Sequence, residues 1–135
     1  MNLTTFFAEM IYKWLFKGQS IGTPPANIYL GLSTQDILKD KTGLAEPTND
    51  PDYVRKLLNF SDPMSTNETG TSGGNIIDLV FPAATIDWGP VSHGFLSDSL
   101  SGGDIWLFGA WAEVRNIAAG ETWVLGANDF TLHFK

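Results

Sequence analysis

Asn75-Ile76-Ile77-Asp78-Leu79-Val80-Phe81-Pro82-Ala83-Ala84-Thr85-Ile86-Asp87-Trp88-Gly89-Pro90-Val91-Ser92-His93-Gly94-Phe95-Leu96, continued after Ser97–Gly103 by Asp104-Ile105-Trp106-Leu107-Phe108-Gly109-Ala110-Trp111, sets the architecture of this chain. Apolar runs of strand length are separated by Pro82, by Gly89-Pro90 and by Ser101-Gly102-Gly103. Runs of this size bounded by Gly and Pro signal strands rather than helices. The last run has large apolar residues on both parities, Trp106 and Phe108 on one and Ile105, Leu107 and Trp111 on the other. A strand so patterned is covered on both sides, which predicts a central place in a layered β structure.

Upstream of this stretch lies one helical pattern. Leu3, Phe6, Phe7, Met10, Ile11, Trp14 and Leu15 recur at helical spacing, so all seven fall on one stripe of a helix within residues 1–18. Asn2 or Thr4 suits the cap, Lys13 and Lys17 suit the negative end of the helix dipole, and Gly18 suits the position just past the end. The stripe has two uses open to it, packing on a face of the sheet or docking on another subunit. Gly22-Thr23-Pro24-Pro25 is a rigid connector, and residues 27–34 alternate as a strand. Residues 35–52 and 61–74 are polar and read as exposed loops, the second of them mobile. Between them, residues 53–60 read as a strand of untidy parity. Downstream, residues 115–120 form a turn-rich link and residues 121–126 a short strand. Residues 130–135 close the chain with Phe130, Leu132 and Phe134 inward and Thr131, His133 and Lys135 outward. The expected fold is mainly β, a small antiparallel β-sandwich of about seven strands with one N-terminal amphipathic helix, in a single domain over residues 1–135.

Composition narrows the function classes. The chain of 135 residues has no cysteine, which excludes disulfides and thiolate metal sites. Its net charge of −7, with scattered Lys and Arg, argues against binding nucleic acid through phosphate neutralisation. No segment approaches the roughly 20 apolar residues of a membrane span, and the late charges Glu9, Lys13 and Lys17 do not fit a signal peptide. The expectation is a soluble, unprocessed chain.

The search for catalytic patterns returns negatives. Ser92 and His93 are neighbours, so on a regular strand they point to opposite faces and do not pair as nucleophile and base. The acidic residues of 35–52 lack the spacing of a calcium loop. His93 and His133 read as ordinary surface histidines, and the glycine pairs lack the lysine and helix of a phosphate-binding loop. No metal or cofactor is expected. Trp88, Trp106, Trp111 and Trp123 either fill the core or a subunit seam, or form a sugar-stacking platform.

Phe81-Pro82-Ala83-Ala84-Thr85-Ile86-Asp87-Trp88-Gly89, then Val91-Ser92-His93, Ser101-Gly102-Gly103-Asp104 and Phe108-Gly109-Ala110 resemble a family of small tailed-bacteriophage proteins labelled tail-fibre-like. The short opening helix, the Pro24-Pro25 link and the closing Gly-containing hairpin follow the same family order, so the resemblance covers nearly the whole chain. It departs at Phe95-Leu96 and at residues 66–75. The resemblance implies a non-enzymatic virion component, assembled in the host bacterial cytoplasm and attached to the particle as a tail-fibre-like appendage, a collar spike or a capsid decoration. The partners expected are copies of itself, three being the first number to test, and other virion proteins, with no nucleic acid and no membrane. The aromatic strands and the stripe are together more apolar than one small core requires, which points to a subunit interface at Phe6, Phe7, Met10 and Trp14. A host-glycan-binding module is the alternative. Contact with a host or with capsid neighbours is expected at the loops, and deletion of residues 66–74 is expected to leave an oligomer intact.

Overall fold

The computed structural model describes residues 1–134. Its elements are β1 (Asn2–Leu3), α1 (Thr5–Lys17), β2 (Tyr29–Ser33), β3 (Lys56–Leu57), β4 (Met64–Thr66), β5 (Gly70–Gly74), β6 (Leu79–Val80), β7 (Gly89–Ser97), β8 (Ile105–Ile117), β9 (Val124–Leu125) and β10 (Thr131–Phe134). The fold is mainly β and wholly antiparallel among the described residues, with one helix near the N-terminus. Ten strands appear rather than about seven, the surplus being short pairings of two or three residues. They form a five-stranded sheet ordered β1-β8-β7-β2-β3, a three-stranded sheet β10-β5-β4 and a ribbon β6-β9.

One core joins the three sheets. Leu30 and Leu32 of β2, Val91 and Leu96 of β7 and Leu107 of β8 meet Leu79, Phe81, Trp123, Leu125 and Phe130 from the smaller sheets and their connections. A second cluster, Ile37, Phe95, Ile105 and Phe108, with Leu44 against it, lies across the large sheet's other face. The large sheet is thus buried on both sides, as the two-parity pattern of residues 105–111 predicts. The face assignment differs at two residues, because Ile105 joins Phe108 while Trp106 packs with Leu107 and Trp111. The cause is a register shift opposite this point, between Leu96 and Ser97, which turns Ile105 over relative to Leu107.

Glycines let the sheets close. Gly31 of β2 lies against the ring of Phe95 and Gly94 of β7 against the indole of Trp111, so a Cβ at either would overlap the aromatic ring. Gly89-Pro90, read as a break, instead opens β7, with Gly89 at φ 83° and Pro90 paired opposite Asn116. Of the first apolar run only Leu79–Val80 is strand; Ile76 and Ile77 are exposed. Asn75, buried completely, instead acts as a polar junction. Its amide donates to the carbonyls of Ile77 and Gly126, and its Oδ1 accepts from the Phe130 N–H at 3.0 Å.

Two segments read as loops behave differently. Residues 35–52 contain no strand or helix, yet they are pinned: Ile37 is core, and Asp50 is 1% exposed. Residues 61–74 carry the hairpin β4–β5, whose second strand runs along β10 from Thr71↔Phe134 to Gly74↔Thr131. Their Ser, Thr and Gly side chains give neither face an apolar pattern, so register comes from the turn at Gly70 (φ 78°) and from β10. Phe130, just before β10, and Leu132 within it point to the core side as expected, while Phe134 is 59% exposed. Lys135 lies outside the described residues.

Candidate interaction surface

The helix begins later than the stripe implies. Leu3 belongs to β1, paired with Leu107, and Thr4 is the cap. The Thr4 hydroxyl accepts from the Phe7 N–H at 3.3 Å and donates to the Ile105 carbonyl at 2.7 Å, which fastens the helix start to β8. Gly18 ends the helix at φ 64°, its N–H donating to the Lys13 carbonyl. Thirteen residues make a rod of about 20 Å.

That rod is apolar on nearly every side. Besides Phe6, Phe7, Met10, Ile11, Trp14 and Leu15 it carries Tyr12 and Phe16 on the opposite face, their rings 5.0 Å apart. The polar arc is narrow, made of Glu9, Lys13 and Lys17, with Glu9 and Lys13 3.8 Å apart. A helix of this pattern is normally enclosed in protein, yet none of its residues is buried. Only its root is held, by the edges of Phe6 and Phe7 against Trp106 at 5.3 and 4.9 Å. Residues Tyr12 to Lys17 are all exposed, Trp14 by 53% and Phe16 by 66%. The stripe therefore packs on the sheet only over its first half, where Leu3 and Phe7 meet the core and Met10 and Ile11 are half-buried, while Trp14 and Leu15 are exposed.

Beside the root runs an apolar groove of about 350 Å³. Phe7 and Met10 form one wall, Ile21 and Pro24 of the connector another, and Leu132 and Phe134 of β10 a third. Of the four residues expected to make contacts, Phe6 and Phe7 seat the helix, Phe7 and Met10 line this groove, and Trp14 stands clear of it. Tyr12, Phe16, Ile21 and Phe134 were not expected in the surface. The aromatic spacing of positions 12 and 16, on the side away from the stripe, is the signal that would have found the first two.

The polar groups elsewhere work as fasteners. Arg55, 4% exposed, makes a two-pronged pair with Glu46, Nε to Oε1 at 2.9 Å and Nη2 to Oε2 at 2.8 Å. Its other nitrogen donates to the Ser97 hydroxyl and to the carbonyls of Ser99 and Gly102, and the guanidinium lies over Phe95. Burial pushes the Arg55 pKa down, but the Glu46 carboxylate more than offsets this and holds it above the ordinary value. Burial, and then the Glu46 charge, push the Tyr53 hydroxyl well above its usual range. Asp50 accepts from the Thr85 hydroxyl at 2.6 Å, the Trp88 indole at 2.8 Å and the backbone N–H groups of Thr85 and Asp52. Chiefly through Thr85, and against burial, these donors hold its carboxyl well below the usual range.

Ser92 and His93 do pair, contrary to the expectation from a regular strand: Ser92 Oγ is 2.7 Å from His93 Nδ1. A register shift between Val91 and His93 breaks the alternation that would have parted them. His93 Nε2 lies 3.0 Å from Asp36, which is itself 77% exposed, so the chain Ser92–His93–Asp36 ties the start of the long loop to β7. Among the described residues no three His, Asp or Glu side chains are grouped to hold a metal. No described helix is long and apolar enough to cross a membrane. Of the four tryptophans proposed as a platform, Trp88 and Trp123 are core and Trp106 and Trp111 are half-buried.

A β-rich body fastened by buried polar junctions, with an exposed aromatic helix beside an apolar groove, defines a small β protein with an unusually apolar surface. The family model described as Podophage GP4 fiber I protein gp80 matches residues 2–133, and the chain belongs to that family. This bears out the resemblance read from the Phe81–Trp111 region and makes the chain a bacteriophage fibre-family structural protein. No curated protein matches it.

Proposed function

We propose that the protein is a non-enzymatic virion appendage, one β-sandwich domain over residues 1–135 whose copies associate through α1, with three copies per assembly. The carrying observation is a helix apolar almost all round with none of its residues buried. The fibre family supports the virion setting. Phe6, Phe7, Met10 and Trp14 are the proposed contact residues, extended by Tyr12 and Phe16. Collar and capsid-decoration positions would use the same surface against other virion proteins.

The test is the mass of the wild-type chain in solution by light scattering. Three times the chain mass is expected, and a monomer at high micromolar concentration would overturn the reading. The glycan alternative draws little from the tryptophans, since two of the four are enclosed. Tryptophan fluorescence is expected to stay flat across a glycan panel, and a saturable change would favour that alternative.

A further inference from the structure

We infer that the distal half of α1 from one copy seats in the apolar groove of the next copy, head to tail, an inference that rests on the oligomer reading above. The first argument is area. Tyr12, Trp14, Leu15 and Phe16 are each more than half exposed. With about 150–250 Å² per aromatic side chain, they present on the order of 400–500 Å² in all, divided between two sides of the helix. Tyr12 and Phe16 lie on the side of the helix away from Trp14, so a helix-to-helix contact covers only one side and falls well short of the ~800 Å² per partner of a stable interface. A ring in which every copy gives a helix and receives one covers the apolar groove of each copy as well as more than one side of its helix.

The second argument is placement. The groove is walled by the helix's own root, Phe7 and Met10, so the same helix cannot turn its far end into it. The projecting element and the recess are different surfaces, and such heterologous contacts build closed rings when the rotation permits. The third argument is charge. With Glu9 against Lys13 and Lys17, α1 is net +1 within a chain of net −7, so the remainder carries −8. Two acidic bodies repel, and the positively charged helix is the element suited to bridge them.

The experiment mixes two variants, each defective on one side. Trp14→Ser/Phe16→Ser removes the inserted side chains, and Ile21→Ser/Phe134→Ser removes the groove rim; all four positions are exposed, so the fold should tolerate them, as checked by near-UV circular dichroism. Each variant alone should run as a monomer, with self-association weakened at least tenfold. Their equimolar mixture should form a species of two chains and stop there, because one intact helix meets one intact groove. Oligomers of the groove variant alone would show helix-to-helix contact and overturn the inference. So would a mixture that stays monomeric. A monomeric wild type would instead sink the oligomer reading itself and assign the surface to a different virion protein.

Discussion

Arg55 and Asp50 carry the polar logic of this fold. Both are enclosed, Asp50 fills the acceptor positions of both oxygens, and Arg55 bonds through all three of its nitrogens, mostly to partners far apart in sequence. Arg55→Ala leaves Glu46 without its counter-charge and releases the turn carbonyls of Ser99 and Gly102, so a loss of about 3–5 kcal/mol is expected. Arg55→Lys keeps the charge but not the planar fork, and should recover only part of that. Urea denaturation midpoints measure both; equal stability of Arg55→Ala and wild type would refute the role. The folded pKa of Asp50 is depressed below the unfolded value of about 3.9, so its contribution is fully present above that value and is lost as pH falls through the folded one. Wild type should therefore lose stability between about pH 5 and pH 2. Asp50→Asn should be less stable than wild type at pH 6, because an amide nitrogen cannot accept, and should show a shallower acid limb. Parallel acid limbs for the two proteins would show that Asp50 is not the titrating fastener.

At the scale of elements, the hairpin of residues 61–74 shows how a polar segment acquires structure from a neighbour. β5 lies between β4 and β10, and Ser65 and Thr71 hydroxyls pair across it at 2.8 Å. Deletion of residues 66–74 removes the middle strand of that sheet and strips β10 of its partner. With β5 in the middle of its sheet, the deletion expected to leave an oligomer intact is instead predicted to destabilise the fold. The shortened chain should lose cooperative unfolding or several degrees of melting temperature, whereas replacing only Asn67-Glu68 with Gly-Gly should leave both near wild type. A fully stable deletion would mean that β10 holds its place without β5. The helix differs in kind: its cap at Thr4 and its end at Gly18 are local chemistry and were legible, but its partner was not. Seven apolar residues on a stripe state that something covers the helix, and leave open whether that is the chain's own sheet. Ser92 and His93 were misjudged because a one-residue register shift is set by the partner strand, and no local pattern announces it.

For the whole molecule, the layered β body was readable because alternation and two-parity runs are themselves records of burial: residues 28–32 and 130–132 carried their own face assignments, and residues 107–111 did so beyond the register shift that turned over Ile105 and Trp106. The long segment 35–52 hid its role because its fasteners, Ile37, Glu46 and Asp50, are single residues acting at a distance. The contact surface was half legible, through Phe6, Phe7, Met10 and Trp14, and its groove was not, since Ile21, Pro24 and Phe134 meet only in three dimensions. The assembly also has a thermodynamic signature. An isolated helix of 13 residues is marginal in water, and α1 touches its own body only at the root, so its order should depend on association. Oligomer stability is linked to protomer concentration, with about 1.4 kcal/mol per tenfold change when one contact is made. At roughly 3–4 °C per kcal/mol for a chain of this size, tenfold dilution should lower the wild-type melting temperature by about 4–6 °C and reduce the helical circular dichroism signal. The Trp14→Ser/Phe16→Ser chain should melt at one temperature regardless of concentration. A wild-type transition equally indifferent to dilution would mean that α1 is ordered by its own chain, and that its exposed aromatic faces serve no copy of this protein.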